Sequence, residues 1–412
     1  MTSLPARTSD ADNRVDMADL AAWPTERRIT AVVHDPGGVE TAWDDGLRRR
    51  FPALWLRDNC PCPACRHPYA RERRFLLVDN GEEPVVADAG LNAGGHLDVQ
   101  FAEGGVTHAG RYDAGWLRHH ARREPGDPAL IRRRLWGAEL GAALPCVDYD
   151  DVMTGDAGLA RWLRAMLEYG IVLMRGAPAR PGEITRIAAR IQAHPHPTNF
   201  GVMYDVVSQP NPNASADTPM ALEPHTDLAN WRRPPDFQLL FCVANEAAGG
   251  SSVLVDGCRV AEELRAVDPD SFRLLATHPV EFRFHDADCD IRHRGLTIET
   301  GPDGNVVAVR FNNWLRTAFD LPEEFIEPMY CALRRFWLLL REPRFQLTVK
   351  LDAGQMLALD NLQIMHGREA FDPNTGRRHL QGLYVDRDMV MSRLRVLARD
   401  RRAGEGLQGD RS

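Results

Sequence analysis

The stretch EPHTDLANW, Glu223 to Trp231, places a histidine and an aspartate one residue apart among small and apolar neighbours. On a β-strand, residues i and i+2 point to the same face, so His225 and Asp227 would project together while Thr226 points away. By itself an H-x-D pair is a weak signal, since two polar residues on a strand often have only a structural role. The pair becomes informative if the chain also supplies a third ligand and a reason to bind a metal.

A candidate third ligand occurs in LALDNLQIMHGREAF, where His366 follows a hydrophobic strand and a turn. Two imidazoles and one carboxylate on one face of a metal form the facial triad of non-haem Fe(II) oxygenases, which leaves adjacent coordination positions open. The pattern therefore predicts His225, Asp227 and His366 as ligands of a catalytic Fe(II), where O2 and an electron-donating co-substrate bind side by side. The alternative from a different class is a non-catalytic metal-binding β-barrel.

An anchor for such a co-substrate is found in NTGRRHLQGLYVD, twelve positions after His366. If the co-substrate is 2-oxoglutarate, its far carboxylate needs a fixed cation, ideally a bidentate arginine. Arg378 is the candidate, and Tyr384 lies an even step away, on the same face of a regular strand. Taken alone, Arg378 would be interpreted as half of a surface ion pair. Beside His366 it favours an oxygenase over a storage protein or sensor, which needs no such anchor.

A second metal site is indicated by CPCPACRH, which holds Cys60, Cys62 and Cys65. Three thiols so close together favour zinc in a closed, tetrahedral structural site. The fourth ligand is either the nearby but cramped His67 or His108 in GGVTHAGRYDAGWL, and we favour His108. The alternative is that these cysteines are free thiols or a redox pair.

The bulk properties describe a globular protein without an extended nucleic-acid-binding surface. The chain has 412 residues, 44% hydrophobic and 26% charged, with a net charge of −8. An excess of basic residues is what phosphate binding requires. The sequence contains no run of eighteen consecutive apolar residues, so it predicts no membrane-spanning helix. The N-terminus lacks the apolar core of a secretory signal peptide. We therefore expect a cytoplasmic protein that binds neither nucleic acid nor membrane.

The pattern of short strands and turn signals divides the chain into two modules. We expect a disordered leader over 1–26, a zinc-binding β domain over 27–125, a connector over 126–146, a catalytic domain over 147–398 and a tail over 399–412. In the catalytic domain, many short strands and a few amphipathic helices favour a mainly β fold, a β-barrel or jelly roll with helices on its outside.

Several motifs in this order resemble the γ-butyrobetaine dioxygenase and trimethyllysine dioxygenase family of taurine-dioxygenase-like Fe(II)/2-oxoglutarate oxygenases. They are EPHTDLANWRRPPDFQLLFCVANEAAGGSSVLVDG, VRFNNWLRTAFDLP, DNLQIMHGREAF and RRHLQGLYVDRDMVMSRLRVL, preceded by LWLRDNCPCPACRH and THAGRYDAGWL. The resemblance implies a double-stranded β-helix, a homodimer and ascorbate as reductant. It also implies the residue roles already suggested: iron at His225, Asp227 and His366, 2-oxoglutarate at Arg378, and zinc at Cys60, Cys62, Cys65 and His108.

The same resemblance implies a small quaternary ammonium substrate, most simply γ-butyrobetaine, which would be hydroxylated to carnitine. An aromatic cage binds such a cation by cation–π attraction. By motif, Phe200, Tyr204 and Tyr384 fall at cage positions, and Asp217 stands where the γ-butyrobetaine enzymes have a tyrosine. Phe200 and Tyr204 can alternatively be plain core residues.

The acid end of the substrate would meet polar groups in the VRFNNWLRTAFDLP motif. The candidates are Asn312 and Asn313, with Arg316 nearby. If these groups face a phosphonate, the substrate is instead a trimethylaminoalkyl phosphonate such as 2-trimethylaminoethylphosphonate.

Overall fold

The structure, a computed structural model, describes residues 15–17, 23–78, 83–122, 127–192, 194–208 and 217–409, without the side chains of 400–409. The described residues form two compact units, one up to Asp127 together with those from Arg399, the other from Pro128 to Ala398. Most of the expected leader, 1–14 and 18–22, lies outside the described residues, whereas Met17 is buried in the core of the first unit.

The first unit is built from short antiparallel strands with a helix after each sheet. Its strands and helices are β1 (Ile29–Asp35), β2 (Gly38–Trp43), β3 (Arg48–Pro52), α1 (Ala53–Asp58), β4 (Val85–Leu91), β5 (Leu97–Glu103), β6 (Val106–Tyr112) and α2 (Ala114–Arg122). One sheet has the order β1-β2-β3 and the other β4-β5-β6. Their buried side chains, among them Val39, Phe51, Leu97 and Phe101, form one core.

The second unit contains more strands and longer helices. Its strands are β7 (Cys146–Asp148), β8 (Ile171–Arg175), β9 (Met203–Val206), β10 (Leu222–His225), β11 (Phe237–Asn245), β12 (Ala248–Gly249), β13 (Ser252–Asp256), β14 (Val280–His285), β15 (Asp290–Gly295), β16 (Ile298–Thr300), β17 (Val306–Val309), β18 (Gln346–Val349), β19 (Met356–Asp360), β20 (Ile364–Arg368), β21 (Phe371–Asp372) and β22 (Arg378–Val385). The helices are α3 (Tyr149–Thr154), α4 (Asp156–Tyr169), α5 (Glu183–Arg190), α6 (Gly257–Val267), α7 (Pro269–Thr277), α8 (Glu323–Leu340) and α9 (Arg387–Gly409), with 3-10 turns at Ala138–Ala143 and Pro343–Phe345. The residues of α9 from Arg399 onward are assigned to the first unit.

Two sheets organise the second unit. The larger has the strand order β7-β8-β19-β11-β22-β9 and the smaller β10-β20-β13-β18. Pairing is antiparallel in both, apart from the parallel pair β7–β8. The expected mainly β architecture with flanking helices is confirmed. Within the described residues, no helix combines the length and the apolar composition needed to cross a membrane.

The strand β11 has one face in the hydrophobic core and the other face at a cavity. Phe237, Leu239 and Phe241 share a core with the apolar faces of α4 and α5. Gln238 and Leu240, the alternate residues, line a cavity on the other side of the sheet. This period of two follows from the pleat, because successive side chains point to opposite faces.

Candidate active site

A cavity of about 570 Å³ in the second unit collects most of the predicted site residues. Residues of the sequence prediction that line it are Phe200, Tyr204, Asp217, His225, Asp227, Asn312, His366, Arg378 and Tyr384. Residues from both sheets and from the β14–β15 hairpin contribute to its wall. The volume is suitable for a small ligand together with a small co-substrate.

The three predicted iron ligands converge at this cavity. His225 and His366 are direct partners in the antiparallel pair β10–β20. Their Nε2 atoms lie 3.4 and 3.5 Å from Oδ1 of Asp227, and the donor atoms all lie within 4.8 Å of one another. Two imidazoles and a carboxylate in this arrangement fit one divalent iron ion.

The protonation of these groups suits metal binding. Nδ1 of His225 is 2.9 Å from the carbonyl oxygen of Glu223, so the ring proton is held there and Nε2 keeps its lone pair. Burial lowers the pKa of His366 to about 4, even though Asp227 opposes this, so His366 is neutral at neutral pH. Burial would raise the pKa of Asp227, but the two histidines and hydrogen bonds bring it below its usual range.

Asp227 does not lie on the strand that the sequence suggested. Strand β10 ends at His225, and the chain then turns, with Leu228 at φ 54°. Buried Asn361 fixes this turn, since Asp227 N donates to Asn361 Oδ1 at 2.7 Å and Asn361 Nδ2 donates to the Asp227 carbonyl at 3.1 Å. The two ligands therefore converge through a turn clamped by an asparagine, and the strand period does not explain their proximity. Asn361 lies in the DNLQIMHG motif but was not recognised as a site residue.

Arg378 fits the predicted role of an anion anchor. Its guanidinium lies over the Phe371 ring, 5.1 Å from the centroid, and burial lowers its pKa to about 10. Among the described residues, its Nε has no hydrogen-bond partner and no carboxylate forms an ion pair with it. A half-buried cation facing a cavity is suited to the far carboxylate of a dicarboxylate co-substrate. Arg378 and Tyr384 line the same cavity, as their even spacing on β22 predicted.

A second arginine of the cavity, which is buried, was missed as a site residue. Arg368 follows His366 by two positions on β20 and lines the same cavity. Its Nη2 donates to the carbonyl oxygens of Thr218 at 2.6 Å and Met220 at 2.8 Å. Arg368 therefore secures the segment that carries Asp217. Because residues i and i+2 of a strand point to the same face, the position of Arg368 two residues after His366 could have indicated that it faces the site.

Aromatic rings line the cavity, in part from elements that the sequence did not indicate. Tyr204 and Tyr384 have centroids 5.5 Å apart, and Phe200 meets Phe284 edge to face at 5.5 Å. Trp314 contacts the ring of His225, with 5.4 Å between centroids. Phe284 on β14 and Trp314 after Asn313 were not predicted. No local motif marks Phe284, because the fold of the β14–β15 hairpin brings it to the cavity.

The predicted polar wall for an acid group is only partly present. Asn312 lines the cavity, but its Oδ1 accepts hydrogen bonds from the backbone N–H groups of Trp314 and Leu315. Asn313 does not line the cavity, and its Oδ1 accepts from Arg316, whose guanidinium lies over Phe319. The structure therefore does not bring Asn313 to the cavity wall, because the turn after Asn312 directs its side chain to Arg316.

In the first unit, the three cysteines meet one histidine. Nε2 of His108 lies 3.3, 3.8 and 3.5 Å from Sγ of Cys60, Cys62 and Cys65. His67 is not part of the cluster, because its Nδ1 accepts hydrogen bonds from the backbone of Tyr69 and Ala70. Four donor atoms within 4.8 Å of one another fit a closed tetrahedral zinc site.

A cation lies beside these thiols. Arg57 Nη1 donates to Sγ of Cys65 at 3.0 Å, and its Nε donates to Glu103. A hydrogen bond from Cys60 and, against the effect of burial, the charge of Arg57 lower the pKa of Cys65. A thiolate is the form that ligates a metal.

Comparison with known proteins agrees with the fold and the site, which together define a non-haem iron dioxygenase that uses 2-oxoglutarate. The chain belongs to the family described as "Taurine catabolism dioxygenase TauD, TfdA family", whose model matches residues 124–384. Residues 32–118 match the model "Gamma-butyrobetaine hydroxylase-like, N-terminal".

Three relatives cover most of the chain. A gamma-butyrobetaine dioxygenase of Pseudomonas sp. (strain AK-1) is 39% identical over 93% of this chain and 100% of its own length. The gamma-butyrobetaine dioxygenase of Homo sapiens is 33% identical over 87% of this chain and 94% of its own. A mitochondrial trimethyllysine dioxygenase of Gallus gallus is 31% identical over 87% of this chain and 86% of its own length.

Proposed function

We propose that the enzyme hydroxylates a C–H bond of a small trimethylammonium substrate, most simply γ-butyrobetaine, to give carnitine. The observation that carries the proposal is a single cavity lined by the His225–Asp227–His366 cluster, half-buried Arg378, aromatic rings and the carboxylate of Asp217. Relatives named gamma-butyrobetaine dioxygenase support the choice of substrate.

Two groups of residues are assigned to the iron and to the co-substrate. His225, Asp227 and His366 would hold Fe(II), and Arg378 would bind the far carboxylate of 2-oxoglutarate. The chemistry supplied at this site is the oxidation of 2-oxoglutarate by O2 to succinate and CO2, coupled to hydroxylation of the substrate. Ascorbate would keep the iron reduced.

The substrate cation would be oriented by rings and by one acidic group. A trimethylammonium group has no N–H to donate, so ring faces and a nearby negative charge attract it in place of hydrogen bonds. Tyr204, Tyr384, Phe200 and Asp217 are the groups we assign to it, and Asn312, which lines the same cavity, is the polar residue we assign to the acid end. The same walls exclude water from the reacting C–H, which limits side reactions.

The first unit would be held together by structural zinc at Cys60, Cys62, Cys65 and His108. With four protein ligands the ion has no open position, so we assign it no catalytic role. The homodimer, the cytoplasmic location and the domain bounds given above stay predictions.

The deciding experiment measures 2-oxoglutarate consumption and succinate release with Fe(II) and ascorbate. γ-Butyrobetaine, trimethyllysine and 2-trimethylaminoethylphosphonate are compared, and the products are checked by mass for a gain of one oxygen atom. We expect turnover with γ-butyrobetaine and none with His366→Ala. Turnover with the phosphonate alone would identify 2-trimethylaminoethylphosphonate as the substrate in place of γ-butyrobetaine. Absence of turnover with all three compounds would contradict the proposal of a betaine substrate.

A further inference from the structure

We propose that Tyr384 and Gln238 are positioning residues that hold Oδ2 of Asp227, so that only Oδ1 is presented to the metal. The inference rests on the proposed iron site but is independent of which amine is hydroxylated.

The two oxygens of Asp227 have different surroundings. The Tyr384 hydroxyl donates to Oδ2 at 2.7 Å, and Gln238 Nε2 donates to the same oxygen at 2.6 Å. Oδ1 lies instead 3.4 and 3.5 Å from the imidazole Nε2 atoms of His225 and His366. One oxygen thus accepts from two donors, and the other faces the nitrogens that would share a metal.

The donors are fixed by strand pairing. Gln238 on β11 and Tyr384 on β22 are direct partners across the antiparallel ladder. Both are buried, at 3% and 4% exposure. Each projects on the cavity side of the larger sheet, where the pleat places them side by side over Asp227.

The Asp227 carboxylate determines which way the Gln238 amide faces, and a further tyrosine contacts the same amide nitrogen. Gln238 Nε2 also donates to the hydroxyl of Tyr204 at 2.8 Å. If the amide were rotated, its carbonyl oxygen would face the Asp227 carboxylate, where acceptor would meet acceptor. Tyr204 is in turn positioned by its strand partner Gly382, where a Cβ would lie 2.3 Å from the Tyr204 ring. The absence of a side chain at 382 makes room for this ring.

This arrangement has a consequence for coordination. A carboxylate whose second oxygen is unrestrained can bind a metal through both oxygens and so occupy an additional position. With Oδ2 hydrogen-bonded twice, Asp227 contributes one oxygen, and three positions remain for 2-oxoglutarate and O2. Residues that orient metal ligands in this way typically change metal affinity by about 10- to 100-fold when altered.

The Tyr384 hydroxyl and ring can be separated by substitution. Tyr384→Phe keeps the ring that would face the substrate and removes only the donor to Asp227. Gln238→Met keeps the approximate length of the side chain and removes the other donor. The matched control is Tyr149→Phe, which removes a buried hydroxyl that bonds Glu183 at 2.6 Å and does not line the cavity.

The test is a titration of the full-length protein, with its thiol cluster loaded with zinc, by Mn(II), following free Mn(II) by electron paramagnetic resonance. Mn(II) does not compete with zinc for thiolates. We expect Tyr384→Phe and Gln238→Met each to weaken Mn(II) binding by about 10-fold, and the double variant by more. Tyr149→Phe should bind as the wild type does. KM for 2-oxoglutarate should rise in the two site variants, because a freed Oδ2 competes for a position.

Wild-type Mn(II) affinity in both Tyr384→Phe and Gln238→Met would overturn the proposal. If Tyr384→Phe does not fold, as judged by its thermal unfolding, Gln238→Met decides alone. His366→Ala separates this outcome from failure of the iron site, because unchanged Mn(II) binding in that variant would remove the site and this inference with it. If Mn(II) binding is weakened in the two site variants but the wild type does not hydroxylate γ-butyrobetaine, the positioning role of Tyr384 and Gln238 is supported. In that case only the proposed substrate is wrong.

Discussion

His225 and His366 lie directly opposite one another on paired strands, with 4.6 Å between their ring centroids. Residues far apart in the sequence are thus brought together by one strand pairing, in the smaller sheet of the second unit. Asp227 joins them through the clamped turn that follows β10. Strand register therefore decides whether the iron site forms.

Substitution of Arg378 by methionine should raise KM for 2-oxoglutarate by about 100-fold, because a buried charged partner contributes a few kcal/mol when it pairs. Mn(II) affinity should change little, since Arg378 is not in the metal cluster. Steady-state kinetics with varied 2-oxoglutarate measure the effect. Arg377→Met is the matched control, because the neighbouring side chain is exposed. An unchanged KM in Arg378→Met would contradict the assignment.

Asp217→Asn should raise KM for the trimethylammonium substrate by about 3- to 10-fold and leave KM for 2-oxoglutarate nearly unchanged. The reason is the loss of one negative charge from the cavity wall, and the effect should shrink at high salt. Kinetics at two ionic strengths provide the measurement, with exposed Asp372→Asn as control. Equal KM values for wild type and Asp217→Asn would show that this carboxylate does not attract the cation.

Gly382→Ala should destabilise the protein by about 1–3 kcal/mol, because the new methyl group would meet the Tyr204 ring at 2.3 Å. In a Tyr204→Ala background the same change should have a smaller effect, so a double-mutant cycle by denaturant unfolding isolates the contact. Gly90→Ala serves as control, since a Cβ there meets nothing within 4 Å. Equal losses in both backgrounds would rule out this contact as the cause.

His108→Ala should lower the bound zinc, measured by elemental analysis after dialysis, and reduce the thermal stability of the first unit. Metal binding contributes directly to folding in small domains of this kind. His67→Ala should leave the zinc content unchanged, because His67 bonds only to its own turn in the contacts described above. Loss of zinc in His67→Ala, with none in His108→Ala, would reverse the assignment of the fourth ligand.

The buried carboxyl group of Asp256, which belongs to neither proposed metal site, should make the stability of the protein depend on pH. Burial raises its pKa from 3.8 to about 6, although hydrogen bonds from the Arg259 N–H, the neutral Gln363 amide and the Trp136 N–H oppose this. The folded protein binds this proton more tightly than the unfolded chain, so the contribution is full below about pH 4 and is lost as pH rises through about 6. Its size is about 3 kcal/mol.

Asp256→Asn should flatten this dependence. The measurement is the difference in unfolding free energy between variant and wild type from pH 5 to pH 7.5. Exposed Asp148→Asn provides the control. A difference that stays constant across this range would exclude Asp256 as the titrating group.

The parts of the site that could be predicted are those with a local period or a chemical motif. His225, His366 and the cysteines follow from residue type and spacing, and Arg378 from its even step to Tyr384. Asn361 and Gln238 act through pairs formed by strand register and by a turn, which sequence spacing does not encode. The different surroundings of Asn312 and Asn313 have the same origin, because a turn decides which of two adjacent asparagines faces the cavity.

The alternation of core and cavity side chains along β11 also has a consequence for the evolution of this enzyme. Phe237, Leu239 and Phe241 are constrained by packing, whereas Gln238 and Leu240 face the chemistry. Point substitutions at the second set can alter the site without dismantling the core. A deletion of one residue within the strand would exchange the two sets at once. The gene should therefore tolerate replacements along this segment far better than changes in its length.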